Sequence, residues 1–256
     1  MRLLRFALPG LLAVFLASPL LAQSADEIFD EVDRRQRLVE SQRAEIQMEI
    51  VDEQGRTRTR QMLLLTKVGD DDRTQSLVVF TAPADIRGTG LLTIETASGD
   101  EQKLYLPALR RVQRIAGSNR GERFAGSDFT YEDLGSRDPD AYTSTLFRTT
   151  DDAFVLDIRP TEAADTAYDR IVLGIDRERY AILRADYYDG NTVVKRLRSS
   201  DFEEVIPGVW QAGRLVMEDV ANGRQTVLTF TSRDSGTALR DDLFTERQLQ
   251  RGATGL

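Results

Sequence analysis

The chain has 256 residues, with 34 basic against 42 acidic side chains, a formal charge of −8, and neither cysteine nor histidine. Without cysteine it can form no disulfide, offers no thiol nucleophile and lacks the acylated thiol of a lipoprotein; without histidine, Ser-His-Asp and Cys-His sites and the common zinc sites are excluded. The acidic balance also argues against a nucleic-acid partner, which needs net positive surface.

At the amino terminus, Arg2 and Arg5 precede an apolar run from Phe6 to Leu16, followed by the breaker pair Ser18-Pro19 and the small residue Ala22. This is the pattern of a secretory signal peptide, too short and wrongly flanked for a membrane span, and it predicts cleavage after Ala22. The mature chain, residues 23–256, keeps thirty-two basic and forty-two acidic residues. It is read as one domain of a soluble periplasmic protein.

Ser24-Ala25-Asp26-Glu27 reads as a capping box, and Ile28, Phe29, Val32, Leu38 and Val39 recur at helical spacing, so a first helix is predicted to run to about Val39. Ile46, Met48 and Ile50 then alternate with polar residues, as expected of a half-buried strand. Gln54-Gly55 turns the chain into a second strand from Arg56 to Val68, with Met62 and Leu64 on one face. Asp70-Asp71-Asp72 lacks the alternating ligands, central Gly and distal Glu of a calcium loop and is read as an acidic turn. Leu77–Phe80 and Leu91–Thr96 give two further strands, with Gly88 and Gly90 marking a bend between them.

The stretch from Leu104 to Leu134 carries Arg110, Arg111, Arg114, Arg120 and Arg123, an arginine island in an acidic protein. It is either a contact surface for an anionic partner or a solvated edge whose arginine stems cover apolar neighbours. Strand alternation would put Arg110 and Arg114 on one side and Arg111 on the other. The carboxylates Asp128, Glu132 and Asp133 could cap backbone groups or pair with these arginines. Beyond them the chain is an antiparallel meander punctuated by Asp189-Gly190-Asn191 and Asn222-Gly223, with a short terminal element near Leu243 to Gln250 as a second cover. Each strand offers one apolar face. The fold expected is therefore mainly β: a strongly curved antiparallel sheet, an incomplete β-barrel, lidded by the first helix and short helical elements.

Three segments, Phe80 to Leu92, Tyr105 to Ile115 and Gly126 to Leu134, resemble the outer-membrane lipoprotein-sorting (LolA-like) family, and more closely its branch associated with RND-type exporters. The resemblance implies a half-barrel holding lipid acyl chains, without catalysis or cofactor. On it rests the expectation of a monomeric periplasmic carrier or chaperone for a lipid or lipoprotein, in transient contact with membranes and working with an inner-membrane RND-type transporter. Alternation selects Ile46, Met48, Ile50, Met62, Leu64, Leu92, Ile94 and Leu156 as the acyl-binding face, and Arg110 and Arg114 as the partner or headgroup contact. Two alternatives remain: a transporter adaptor whose sheet is filled by its own side chains, and, less favoured, a carboxylate-based hydrolase.

Overall fold

The computed structural model describes residues 23–256; the expected signal peptide, residues 1–22, lies outside the described residues. Helix α1 (Ala25–Arg37) begins where its caps place it. Ser24 Oγ accepts the Glu27 N–H at 3.1 Å while the Glu27 carboxylate accepts the Ser24 N–H at 2.8 Å. Asp26 and Glu27 in the first turn, and Arg34, Arg35 and Arg37 in the last, complement the helix dipole. Ile28, Phe29 and Val32 form its buried stripe.

Six strands follow: β1 (Ser41–Val51), β2 (Thr57–Val68), β3 (Thr74–Ala82), β4 (Gly90–Thr96), β5 (Gly99–Leu106) and β6 (Arg111–Ile115). A long connection of short 3-10 turns, residues 116–141, leads to β7 (Tyr142–Thr149), β8 (Ala153–Pro160), β9 (Arg170–Asp176), β10 (Ile182–Asp189), β11 (Thr192–Ile206), β12 (Val209–Asp219) and β13 (Arg224–Asp234). A 3-10 turn at Asp241–Leu243 and helix α2 (Glu246–Arg251) end the chain. All strands belong to one antiparallel sheet of order β6-β5-β4-β3-β2-β1-β13-β12-β11-β10-β9-β8-β7. Among the described residues the β1–β13 pair, with Met48 opposite Leu228, is the one join between strands that do not follow each other in sequence.

This arrangement corrects the expected strongly curved, incomplete barrel. The sheet is open, with β6 and β7 as edges that do not pair with each other, and it is neither closed nor strongly curled. The expectation assumed that apolar strand faces must be hidden by curling. The chain hides them by covering instead. On one face α1 and the 116–141 connection lie over Ile46, Met48, Ile50, Phe80, Leu156, Ile171 and Leu173 in the main core. The second face is apolar too in the β2–β4 region, where Leu63, Leu65, Leu77, Val79 and Leu92 pack under Leu243, Phe244 and Leu249. Gly90 permits that second cover, since a Cβ there would lie 2.8 Å from Leu249 Cδ1 and 3.1 Å from the Val78 carbonyl.

Candidate functional site

The feature that sets this sheet apart is the connection 116–141, which acts as a strap over the main apolar face. Its local shape follows from its sequence. Ala125 and Gly126 adopt left-handed φ of 52° and 72°, reversing the chain, and the Ser127 hydroxyl donates to the Phe124 carbonyl at 2.7 Å to hold the reversal. The Asp133 carboxylate accepts from the Thr130 N–H at 2.7 Å and the Thr130 hydroxyl at 2.8 Å, tying the Glu132–Leu134 turn back to the residue that leads into it. These turns aim Phe124, Phe129 and Tyr131 down into the core. Phe124 stacks on Phe80 of β3 at 5.5 Å and meets Tyr131 edge-on at 5.8 Å. Burial of each aromatic contributes about 1.5–3 kcal/mol.

Polar anchors fix the strap at its margins. Asp128, only 2% exposed, accepts from the Thr226 hydroxyl at 2.7 Å and from Arg224 Nε at 3.2 Å on β13, and faces Arg123 at 3.4 Å. Asp133 pairs with Lys195 of β11, which also donates to the Tyr168 hydroxyl at 2.8 Å. Burial, then the Asp133 charge, pushes the Tyr168 phenol above its ordinary range, keeping it neutral. Glu132 accepts from the Thr166 hydroxyl and, at 3.0 Å, from the Ala167 N–H. From the opposite side Gln102 of β5 donates to the Tyr131 carbonyl at 2.9 Å. The carboxylates of the Gly126 to Leu134 segment therefore anchor the strap, each bonded to partners within the protein. Among the described residues no group of His, Cys, Asp or Glu is arranged to hold a metal ion.

The eight residues selected from alternation do not share a face. Ile46, Met48, Ile50, Met62 and Leu156 lie in the main core with Leu64 packed against it, all on the strap side, whereas Leu92 belongs to the opposite cluster and Ile94 packs there. The strap side is filled by the chain's own side chains. The arginine island also divides. Arg120 turns inward to Asp100 and Asp165, at 3.5 and 3.4 Å, and Arg123 pairs with Asp128 and Asp219. Arg114 stands exposed beside Glu101 at 3.5 Å, and Arg110 sits outside β6 at a left-handed φ of 48°, so the strand alternation assumed for it does not apply. Arg111 takes none of the Asp128 to Asp133 carboxylates: Asp128 goes to Arg123 and Arg224, Asp133 to Lys195, and Glu132 to Thr166 and Ala167.

Sequence reasoning missed Lys195, Tyr168, Arg224 and Thr226. One signal was present: Lys195 shares strand parity with the core-facing Leu197, an inward position where a charge demands a partner. A second missed feature is a cleft of about 430 Å³ between the β4–β5 turn and the β8–β9 loop, floored by Ser136 to Tyr142.

Among the described residues no helix is long and apolar enough to cross a membrane. No curated protein matches the chain. A family model described as "Uncharacterized protein" matches residues 72–251, which include the whole strap. Among solved structures, a domain from Vibrio parahaemolyticus named for outer membrane lipoprotein sorting is 29% identical, with a TM-score of 0.82 over 89% of this chain and 98% of that one. A DUF1329 family protein from Desulfovibrio piger is 30% identical, with a TM-score of 0.81 over 89% of this chain and 100% of that one. A LolA superfamily protein from Nitrosomonas europaea, 19% identical, shares the fold with a TM-score of 0.69 over 89% of this chain and 100% of that one. The chain thus belongs to the family of that model and to the DUF1329 family, and it has the fold of the LolA superfamily.

Proposed function

We propose that this protein is a periplasmic carrier or chaperone for the acyl chains of a lipid or lipoprotein, working as a monomer with an RND-type envelope transporter. The observation that carries the reading is an apolar sheet face whose cover is a strap held at its margins by polar anchors. An acyl chain entering beneath the strap would replace Phe124, Phe129 and Tyr131 against Ile46, Met48, Ile50, Met62, Leu64 and Leu156. That exchange trades apolar contact for apolar contact, with each methylene removed from water contributing about 0.8 kcal/mol. The net cost then falls on the anchors. Likeness to the Vibrio domain supports lipoprotein handling, and the three segments resembling the exporter-associated branch support the transporter partner. Arg110 and Arg114, both exposed, supply the headgroup or transporter contact during transient visits to a membrane.

A second reading has its own support: a face filled by the chain's own aromatics suits an adaptor that docks on a transporter without carrying lipid. Native mass spectrometry of the protein purified from periplasm separates the two. The carrier retains lipid, Met48→Asp abolishes retention, and Leu92→Asp, on the opposite face, spares it in folded protein. A wild-type protein that neither retains lipid nor extracts it from vesicles is the adaptor.

A further inference from the structure

We infer that the cleft between the β4–β5 turn and the β8–β9 loop binds a small zwitterion of the phosphoethanolamine class, its phosphate on Arg137 and its ammonium toward Asp138 and Asp140. The cleft holds about 430 Å³, enough for a molecule of headgroup size. Its central cation is Arg137, whose guanidinium lies between the Tyr142 and Tyr187 rings, 5.9 Å from each centroid. Arg137 makes no ion pair among the described residues. It is half-buried and lines the cleft. A guanidinium stays charged at any physiological pH; Tyr187, Tyr142 and Asp133 already favour the charged form of Arg137, but none forms an ion pair with it, so its open side is available to an anion. Arg120, also on the cleft wall, has a buried Nε without a hydrogen-bond partner.

A simple anion does not fit the rest of the lining. Six carboxylates face the cleft against these two guanidiniums. Four of the six are spoken for: Glu95 by Arg37 at 3.0 Å, Asp100 by the Ser136 N–H at 2.8 Å and hydroxyl at 2.5 Å, Glu132 by the β8–β9 loop, and Asp165 by Arg120. Asp138 only caps the Asp140 N–H, at 3.0 Å, and Asp140 is exposed at the rim. One short segment thus presents an unpaired cation followed at once by two available carboxylates. A lone phosphate would satisfy Arg137 and be repelled by the rim; a lone ammonium would satisfy the rim and leave Arg137 bare. A ligand carrying both charges a few bonds apart meets both demands, and phosphate suits the fork of an arginine. Tyr142 on the cleft floor packs against the main core, so a bound headgroup would lie beside the apolar face; that link rests on the lipid-carrier reading, whereas the zwitterion site does not.

The test is calorimetric titration of the mature chain with O-phosphoethanolamine, inorganic phosphate and ethanolamine. We expect O-phosphoethanolamine to bind at least about tenfold more tightly than either half alone. Arg137→Gln should lose at least about tenfold, and the exposed double variant Asp138→Asn/Asp140→Asn should bring O-phosphoethanolamine down to the level of phosphate. Phosphate binding as tightly as the zwitterion, no saturable binding by the wild type, or unchanged affinity in the double variant would each overturn the site, and the double variant decides the matter if Arg137→Gln does not fold. Vesicles of phosphatidylethanolamine and phosphatidylglycerol separate this proposal from the carrier reading. Binding of the soluble probe without lipid uptake supports the site and removes the carrier; uptake indifferent to headgroup, with no binding of the soluble probe, removes the site and keeps the carrier.

Discussion

Replacing Asp128 by Asn tests whether the strap is held by its anchors. The substitution keeps the size of the side chain and one oxygen for the Thr226 hydroxyl, but it puts an amide donor where Arg224 Nε donates at 3.2 Å and removes the charge that Arg123 faces at 3.4 Å. Arg123 retains Asp219, so its loss is small; Arg224 keeps only the Gly126 carbonyl, at 3.1 Å. A charge-assisted hydrogen bond is worth about 1.5–3 kcal/mol, and a broken buried pair about 3–5. Because the Arg224 side chain is 20% exposed and can be partly rehydrated, the lower range applies, about 2–3 kcal/mol. For a chain of this length that corresponds to a Tm lowered by about 4–12 °C, read by circular dichroism. Hydrogen exchange gives the local signature: the Phe124, Tyr131 and Glu132 amides, bonded within the strap to Phe129, Glu122 and Arg120, should exchange faster while the sheet amides of β8 and β9 keep their order of protection. Unchanged strap protection with a Tm shift below about 1 °C would refute the anchoring argument.

Three further outcomes follow from other parts of the structure. Arg110→Glu and Arg114→Glu should together weaken binding to anionic vesicles, most steeply at low salt, while Arg111→Glu, which pairs with no strap carboxylate, should change stability by less than about 0.5 kcal/mol; equal, salt-independent effects from all three would refute the contact. The Arg34 and Arg35 hydrogen bonds hold the Glu31 carboxyl down at about 2 in the folded chain. Its folded pKa is depressed, so its stabilisation is complete above the ordinary glutamate range and is lost as pH falls from there toward 2. The Tm difference between wild type and Glu31→Gln should therefore be full near neutrality and vanish near pH 2, and a difference that grows on acidification would contradict the assignment. Gly90→Ala, with its Cβ forced against Leu249 and the Val78 carbonyl, should cost about 1–3 kcal/mol and loosen α2; a neutral melt with α2 still protected from exchange would show that the helix has room to shift.

Local chemistry was legible in the sequence. The Ser24 capping box, the alternation of Ile46, Met48 and Ile50, the acidic turn at Asp70 to Asp72 and the cover near Leu243 to Gln250 each depend on residues a few positions apart, and the structure contains all four. Alternation also fixed which residues of one strand lie together. It could not say which face of the sheet that was relative to other strands, because pairing register decides it: with Leu77 opposite Leu92, that pair is turned to the α2 side while Met62 and Phe80 face the strap. Nor could it say how an apolar face is hidden, since curling and covering leave the same pattern in a strand. The strap was visible only as a run of small, aromatic and acidic residues. Its meaning lies in partners far along the chain, Thr226 for Asp128 and Lys195 for Asp133, separated by 98 and 62 residues. Such contacts leave no periodicity in the sequence; only the tertiary fold, by bringing β11 and β13 beneath residues 126–134, gives those carboxylates something to hold.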